Sequence, residues 1–285
     1  MTLASTSRVS LAYVEELVFG ETPITGNHKP LRYTGESLSF SLTKEVSEEI
    51  NEYRGSSSMI PVSAEASGTV NGEMQYAEYD NFIQAVLQDT WKPYGTNGVG
   101  AVFGATVSAT TITAAVAPSG TSDFTGLRKG QWFFLQGTVL NSGTLFRVSS
   151  VTAPTTTVIT LDPGTPGVPE TAVATAKIST SRLSNGVTQR SFSLQKHAAD
   201  VGEYFLYRGM TASRMNLSLA TASRTTVDFD FMGRDSEASS TNMLPGNKGT
   251  SKGFQIMSGV AGSVCTLWYG GAPLVGTYIG SLSMS

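Results

Sequence analysis

The sequence has one cysteine, two histidines and few charges, and each scarcity removes a class of function. With Cys265 alone there is no intramolecular disulfide and no thiolate metal cluster, so a disulfide-stapled secreted scaffold is excluded. His28 and His197 leave little room for a histidine metal site or a catalytic triad, and both read as surface or loop residues. Charged side chains make up 14% of the chain, against about 25% in ordinary soluble domains. Ser, Thr and Gly are abundant instead, a surface suited to extensive pairing with other subunits. The 19 basic and 22 acidic residues give a formal net charge of -3, and no Lys/Arg run exceeds Arg128-Lys129. A general nucleic-acid binder would need a basic face to displace counterions, so that class is disfavoured. No apolar run approaches the roughly 20 residues of a membrane span. Glu15 and Glu16 also interrupt the apolar pattern that a signal peptide would need after Arg8. The product is expected to be soluble where it is made, with no membrane partner and no cofactor.

What is present is concentrated first between Leu31 and Trp91. Leu38, Phe40 and Leu42 alternate with Ser37, Ser39 and Ser41, the period of a strand with one wet face. A second, less regular strand is expected from Val62 to Met74. Tyr79, Phe82, Ile83, Val86 and Leu87 then recur at three- and four-residue spacing, which predicts a helix from about Glu78 to Thr90 whose stripe packs on a sheet. Between the strands, Lys44 to Ser58 is far longer than a hairpin loop and carries Lys44, Glu45, Glu48, Glu49, Glu52 and Arg54. Met1 to Pro30 is broken by Gly20, Pro23, Gly26 and Pro30 and reads as an arm.

Past Trp91 the composition changes. Pro93, Gly95, Gly98, Gly100 and Gly104 mark a linker, and short strand candidates follow at Thr106 to Val116, Gln131 to Gln136, Leu145 to Val151, Thr157 to Leu161 and Ala172 to Ile178. Such a series suggests a small closed barrel or sandwich. The expected organisation is therefore residues 1–91, an inserted β-domain at 92–186, and a return to the first domain at 187–285. In that last part Phe192 to Leu194, Tyr204 to Tyr207, Arg214 to Ala220 and Thr225 to Met232 read as strands, and Ser236 to Gly253 as a polar loop. The chain stops within an alternating segment, so a longer native chain is an expectation.

Chemistry is sparse. Gly95-Thr96-Asn97-Gly98-Val99-Gly100 lacks the Lys-Ser/Thr ending of a phosphate loop and reads as linker. Asp228 and Asp230 share one face of a strand, where outward alternation explains them more simply than a calcium site or a hydrolytic pair. Cys265 reads as a buried small hydrophobe. Asn216-Leu217-Ser218 matches a glycosylation acceptor only formally. Trp132, Phe133 and Phe134 read as core of the insert, with a sugar-stacking patch as the alternative. Catalytic, metal and cofactor-binding residues are expected to be absent.

The order of these features resembles the tail tube proteins, or major tail proteins, of long-tailed bacteriophages. The residues that carry the likeness are Phe19-Gly20 and Pro23; Leu31-Arg32-Tyr33-Thr34-Gly35-Glu36; Ser47, Glu49-Ile50 and Arg54; Ala66-Ser67-Gly68; and the helix Tyr79 to Leu87. After the insert they are Phe192-Ser193-Leu194, Phe205 to Met210, and Asn216-Leu217-Ser218-Leu219. The resemblance implies a mainly β tail-tube sandwich or barrel with one flanking helix and a small inserted all-β domain. It also implies a virion protein made in the host cytoplasm, whose copies form hexameric rings stacked into a tube. Other tail proteins would meet the tube ends, and genomic DNA would pass through the lumen without specific binding. On that basis Lys44, Glu45, Glu48, Glu49, Glu52 and Arg54 would contact the next ring, and Ser37, Ser39 and Ser41 would face the lumen. The competing reading is a two-domain β-protein that binds cell-surface carbohydrate through Trp132.

Overall fold

A computed structural model describes residues 8–46, 59–118, 123–220, 223–251, 256–257, 268–269, 272–273 and 281–284. In chain order the first elements are β1 (Val9–Glu15), β2 (Lys29–Leu31), β3 (Gly35–Glu36), β4 (Ser39–Val46), β5 (Met59–Glu73) and the helix α1 (Asp80–Leu87). Next come β6 (Lys92–Pro93), β7 (Phe103–Val107), β8 (Thr111–Ala114), β9 (Trp132–Gln136), β10 (Thr144–Arg147), β11 (Val158–Thr160), β12 (Glu170–Ser179) and β13 (Ser181–Arg182). The last are β14 (Phe192–Ala198), β15 (Glu203–Ala220), β16 (Thr226–Gly233), β17 (Asp235–Ser239), β18 (Trp268–Tyr269), β19 (Ala272–Pro273) and β20 (Ser281–Met284). The protein is mainly β with one α-helix among the described residues. Contacts divide it into a unit of Met1–Asp89, Asn185–Cys265 and Tyr278–Ser285 and a unit of Thr90–Ser184 and Thr266–Thr277.

The first unit is organised around β15. Its 18 residues form a single strand where the sequence pattern suggested two. The first half, 203–210, lies between β14 and β17, while the second half lies between β16 and β20. From β14 the antiparallel ladder continues to β1 and β2. From β16 it continues to β5, which carries β3 and β4 on its other edge. One bent strand therefore joins two leaves of a ten-stranded sheet.

Alternation decides what each leaf buries. Leu11 and Tyr13 of β1 and Phe192 and Leu194 of β14 face the same core as Val70 of β5 and Val227, Phe229 and Phe231 of β16. Helix α1 fills the space between them. Two turns of helix are marginal alone, so packing must hold it. Phe82, fully buried, has its ring 4.7 Å from Tyr13, 5.1 Å from Phe192, 5.5 Å from Phe229 and 5.2 Å from Phe231. Tyr79 caps the start of the helix, and its hydroxyl donates to the Arg32 carbonyl at 2.7 Å. Burial pushes that phenol up to about 12, so it stays a neutral donor. Ile83 and Val86 are half-buried against the core, Leu87 is at its margin, and Ala85 is fully packed. The helix is shorter than its apolar stripe suggested. Gln88 turns left-handed at φ 52°, and the Gly186 and Thr188 amides take the terminal carbonyls of Leu87 and Gln88.

The second unit contains a closed six-stranded barrel in the order β10-β9-β12-β7-β8-β11. The ring closes where the Val148 and Leu161 backbones bridge, with Ser149 N–H donating to Thr160 at 2.8 Å and Asp162 N–H to Arg147 at 2.9 Å. Closure removes free edges that would otherwise pair at random. Phe103, Ile112, Phe124, Phe133, Leu135, Phe146 and Ile159 fill the interior. The segment Thr106 to Val116, expected as one strand, is instead the hairpin of β7 and β8, because Ser108 bonds the Thr110 and Thr111 amides and turns the chain. A carboxylate locks the β9–β10 loop. Glu170 accepts from the amides of Val139 and Leu140 and from the Asn141 side chain. Desolvation works against its charge, but these donors outweigh it and hold the carboxyl below its usual range.

Candidate assembly surface

Beyond Ala66, β5 leaves the sheet with only β4 beside it. The two make a ribbon from Ser39↔Ser67 to Val46↔Met59, with one bulge after Thr43. Every described residue of the ribbon outside Ala66 and Ser67 is exposed. A two-stranded ribbon has no independent stability to speak of in water. Its register sorts the two faces. Phe40 and Leu42 pair with Ala66 and Ala64 on the face that continues the core, while Ser39, Ser41 and Thr43 pair with Ser67, Glu65 and Ser63 on the other. Phe40 and Leu42, with Val46 and its partner Met59 on the same face, are 39% to 62% exposed. That is an exposed apolar stripe along the ribbon.

The helix was expected to cover this dry face; of Leu38, Phe40 and Leu42, only Leu38 is buried, in the core cluster that also holds Phe82. Phe40 and Leu42 are 39% and 43% exposed. Lys44 and Glu45, expected in a loop, belong to β4 and pair with Pro61 and Ile60. Glu48, Glu49, Glu52 and Arg54 lie outside the described residues, as does Cys265.

The polar face of the same leaf is continuous. Ser37 sits at the joint between β3 and β4, where its hydroxyl accepts from the Thr69 amide at 2.9 Å. Register then lines up Ser39, Ser67, Thr69 and Asn71 with Asp228 and Asp230, and these with Asn216 and Arg214. Asp230 accepts from the Thr69 hydroxyl at 2.6 Å and Asp228 from the Asn71 amide at 2.7 Å. Both aspartates are thus outward-facing, held by neutral partners and not by each other. With Glu65 and with Glu73, which pairs with Arg224, this face carries more acid than base among the described residues.

On the first leaf the outer face is covered by chain. The arm after β1 folds back under the control of Glu16, a buried carboxylate. One oxygen accepts from the Gly20 amide at 2.8 Å and the Ser191 hydroxyl at 2.7 Å. The other accepts from the Gly209 amide at 2.9 Å and the Ser193 hydroxyl at 2.7 Å. Gly20 and Gly209 sit at φ 76° and 69°, and a Cβ on either would meet Arg234 or Phe19. Glu16 thereby ties the arm to β14 and to the bend of β15. It also lifts Leu17 and Ile24 into solvent, 93% and 95% exposed. Little in the residue spacing marks Glu16, since three of its four partners are 175 to 193 residues away.

The polar segment after β16 is not a loop throughout, because Asp235 to Ser239 form β17 against β15. Arg208 bonds Asp235 at 2.9 Å and Glu237 at 3.0 Å, contacts that raise its already high pKa and keep it charged. In the barrel, Phe133 is buried, Phe134 is partly exposed, and the Arg147 guanidinium sits 5.8 Å from the centre of the Trp132 ring. That face of Trp132 is already occupied, which weakens the case for a sugar platform. The histidines differ from expectation. His28 is buried, with Nδ1 3.0 Å from the Pro245 carbonyl, and His197 lies within β14, its ring stacked 4.1 Å from that of Tyr204. Among the described residues there is no group of three or more His, Cys, Asp or Glu placed to hold a metal. No described helix is long and apolar enough to cross a membrane.

The chain was compared with known proteins. One family, described as phage tail tube protein, matches residues 6–283. No curated protein matches.

Proposed function

The chain belongs to the phage tail tube protein family, and from that membership we propose that its copies close into rings, hexameric in number, which stack around a channel for DNA. The protein is a structural component of the virion tail. The observation that carries the finer reading is the β4–β5 ribbon, because an exposed apolar stripe on an unsupported ribbon requires a partner, and a second copy is the partner that a tube supplies. The segment 47–58 at its tip, with Glu48, Glu49, Glu52 and Arg54, would reach the adjacent ring together with Lys44 and Glu45. Other tail proteins would meet the tube at its ends. The separate units suit a division of labour, with residues 1–91 and 187–285 building the tube and the insert 92–186 decorating it.

Replacing both Phe40 and Leu42 by Ser tests this. The side chains are exposed in the isolated chain, so its unfolding free energy should move by less than about 1 kcal/mol, while tubes seen by electron microscopy at high concentration should disappear. Normal tubes from that variant would remove the ribbon from the assembly.

The polar face of the β3–β5–β16 leaf is the proposed lumen wall, including Ser37, Ser39 and Ser41. Small hydroxyls offer phosphates weak neutral contacts, and Asp228, Asp230 and Glu65 repel them, so DNA slides without being held. Asp228→Lys with Asp230→Lys should still give tubes, because both positions are solvent-facing, but these tubes should retain short duplex DNA at low salt and release it as salt rises. Equal retention by wild-type and variant tubes would place this face outside the channel.

A further inference from the structure

The only two histidines in the chain meet at one pocket. It lies on the outer face of the first leaf, where the segment 242–248 and the arm cross β1 and β14. The floor is Ser10 and Ala12 of β1, Gln195 and His197 of β14, and Tyr204 of β15, with His28, Asn242 and Lys248 around the rim. Its volume is about 150 Å³, room for one small ion and its water.

The chemistry of this lining is one-sided. Three nitrogen bases, His28, His197 and Lys248, face it beside the hydroxyls of Ser10 and Tyr204, and no carboxylate is among its described lining residues. This occurs in a chain with an excess of acids. The rings are also pre-positioned. A carbonyl can only accept, so Nδ1 of His28 carries the proton donated to Pro245, and Nε2 is the nitrogen left for a ligand. His197 is held flat on Tyr204, its cross-strand neighbour. Gln195, which bonds the Asn242 side chain at 2.8 Å and accepts from the Met243 amide at 2.9 Å, fixes the covering segment over the site. Lys248 is paired through its backbone with His28, which brings its side chain to the rim.

From this arrangement we propose that the pocket binds a small oxyanion, phosphate or carboxylate, clamped between the two imidazoles and Lys248. The titratable groups facing it are His28 from the arm, His197 from β14, Tyr204 from β15 and Lys248 from the covering segment. An imidazole donates from both nitrogens only when protonated, so an oxyanion at this site favours the protonated rings. Occupation then bridges the arm, β14 and the 242–248 segment and holds them on the leaf.

The test is a nuclear magnetic resonance titration of the full chain, carrying 13C-labelled histidine and kept below the concentration at which it assembles, with inorganic phosphate. Both Cε1–H resonances are expected to shift saturably, with affinity falling by roughly tenfold or more as pH is raised, the direction expected of an oxyanion held by imidazole N–H donors. Lys248→Ala, at an exposed position, should fold normally and weaken binding about tenfold, the scale of one charge-assisted contact. His197→Gln keeps His28 as reporter and should abolish saturation. Acetate separates the sources: tighter phosphate assigns the pocket to phosphate, and equal affinity assigns it to carboxylates, such as a side chain of a second copy. Shifts that never saturate, or that saturate identically in Lys248→Ala and His197→Gln, would overturn the proposal.

Discussion

Phe82→Ala should lower the stability of the first unit by about 3–5 kcal/mol, the range for deleting a fully buried aromatic ring. The upper part of that range is expected here. The ring touches Tyr13 and Phe192 on one leaf and Phe229 and Phe231 on the other, so its removal detaches the helix from both at once. Edge-to-face contacts of this kind add to the area term. The cavity cannot collapse easily, since its walls are strands held in register by their own ladders and the helix end is tied down by Gly186 and Thr188. Ile83→Ala, half-buried at the edge of the same core, should cost clearly less. The measurement can be kept specific to this unit, because all three tryptophans, Trp91, Trp132 and Trp268, belong to the other. The variant should show an earlier transition by far-ultraviolet circular dichroism, with tryptophan fluorescence reporting the second unit separately. A loss under about 1.5 kcal/mol would mean that the leaves hold together without the ring.

Glu16→Gln should destabilise the same unit by about 2–3 kcal/mol despite its identical shape, and Glu16→Ala by more. Each oxygen of the carboxylate serves one backbone amide and one hydroxyl. The hydroxyls of Ser191 and Ser193 can rotate to accept from an amide, but the Gly20 and Gly209 N–H groups cannot. Whichever way the glutamine lies, its NH2 faces one of them, and that buried donor is left without an acceptor. Because one of the two glycines terminates the arm and the other bends β15, the variant should also open the arm. Limited proteolysis should cut between residues 17 and 27 in Glu16→Gln under conditions where the wild-type chain survives. A glutamine variant that matches wild type in both denaturant midpoint and protease resistance would show that the hydrogen bonds around Glu16 carry little net energy.

These two residues mark how far the order of amino acids reaches. Phe82 was visible from sequence as a member of an apolar stripe, since helical spacing is a local property. Its place at the centre of two leaves was not, because those leaves come from 110 to 150 residues further along and from the start of the chain. Glu16 looked only like a charge interrupting an apolar run; Gly20 is four residues on, but its other three donors are brought to it by the antiparallel pairing of β1 with β14 and by the bend in β15. The histidines misled for a related reason: residue type and flanking polarity suggest a surface, but a covering segment some 50 residues away closes over His197.

By itself the sequence determined the local alphabet of this protein: alternating strands, one short amphipathic helix, neutral hydroxyl-rich faces, and a family pattern on either side of the insert. Period two and period three to four survive without any knowledge of partners, because they reflect which side of a single element meets water. Tertiary structure alone decided where the Leu31 to Trp91 segment ends as body and begins as ribbon. The serine and apolar faces of β4 were legible from Leu38, Phe40 and Leu42, but not that Leu38 is buried while Phe40 and Leu42 are 39% and 43% exposed. That difference depends on the reach of β16, which pairs with β5 only as far as Ala66, and strand length against a distant neighbour is not encoded in the strand itself.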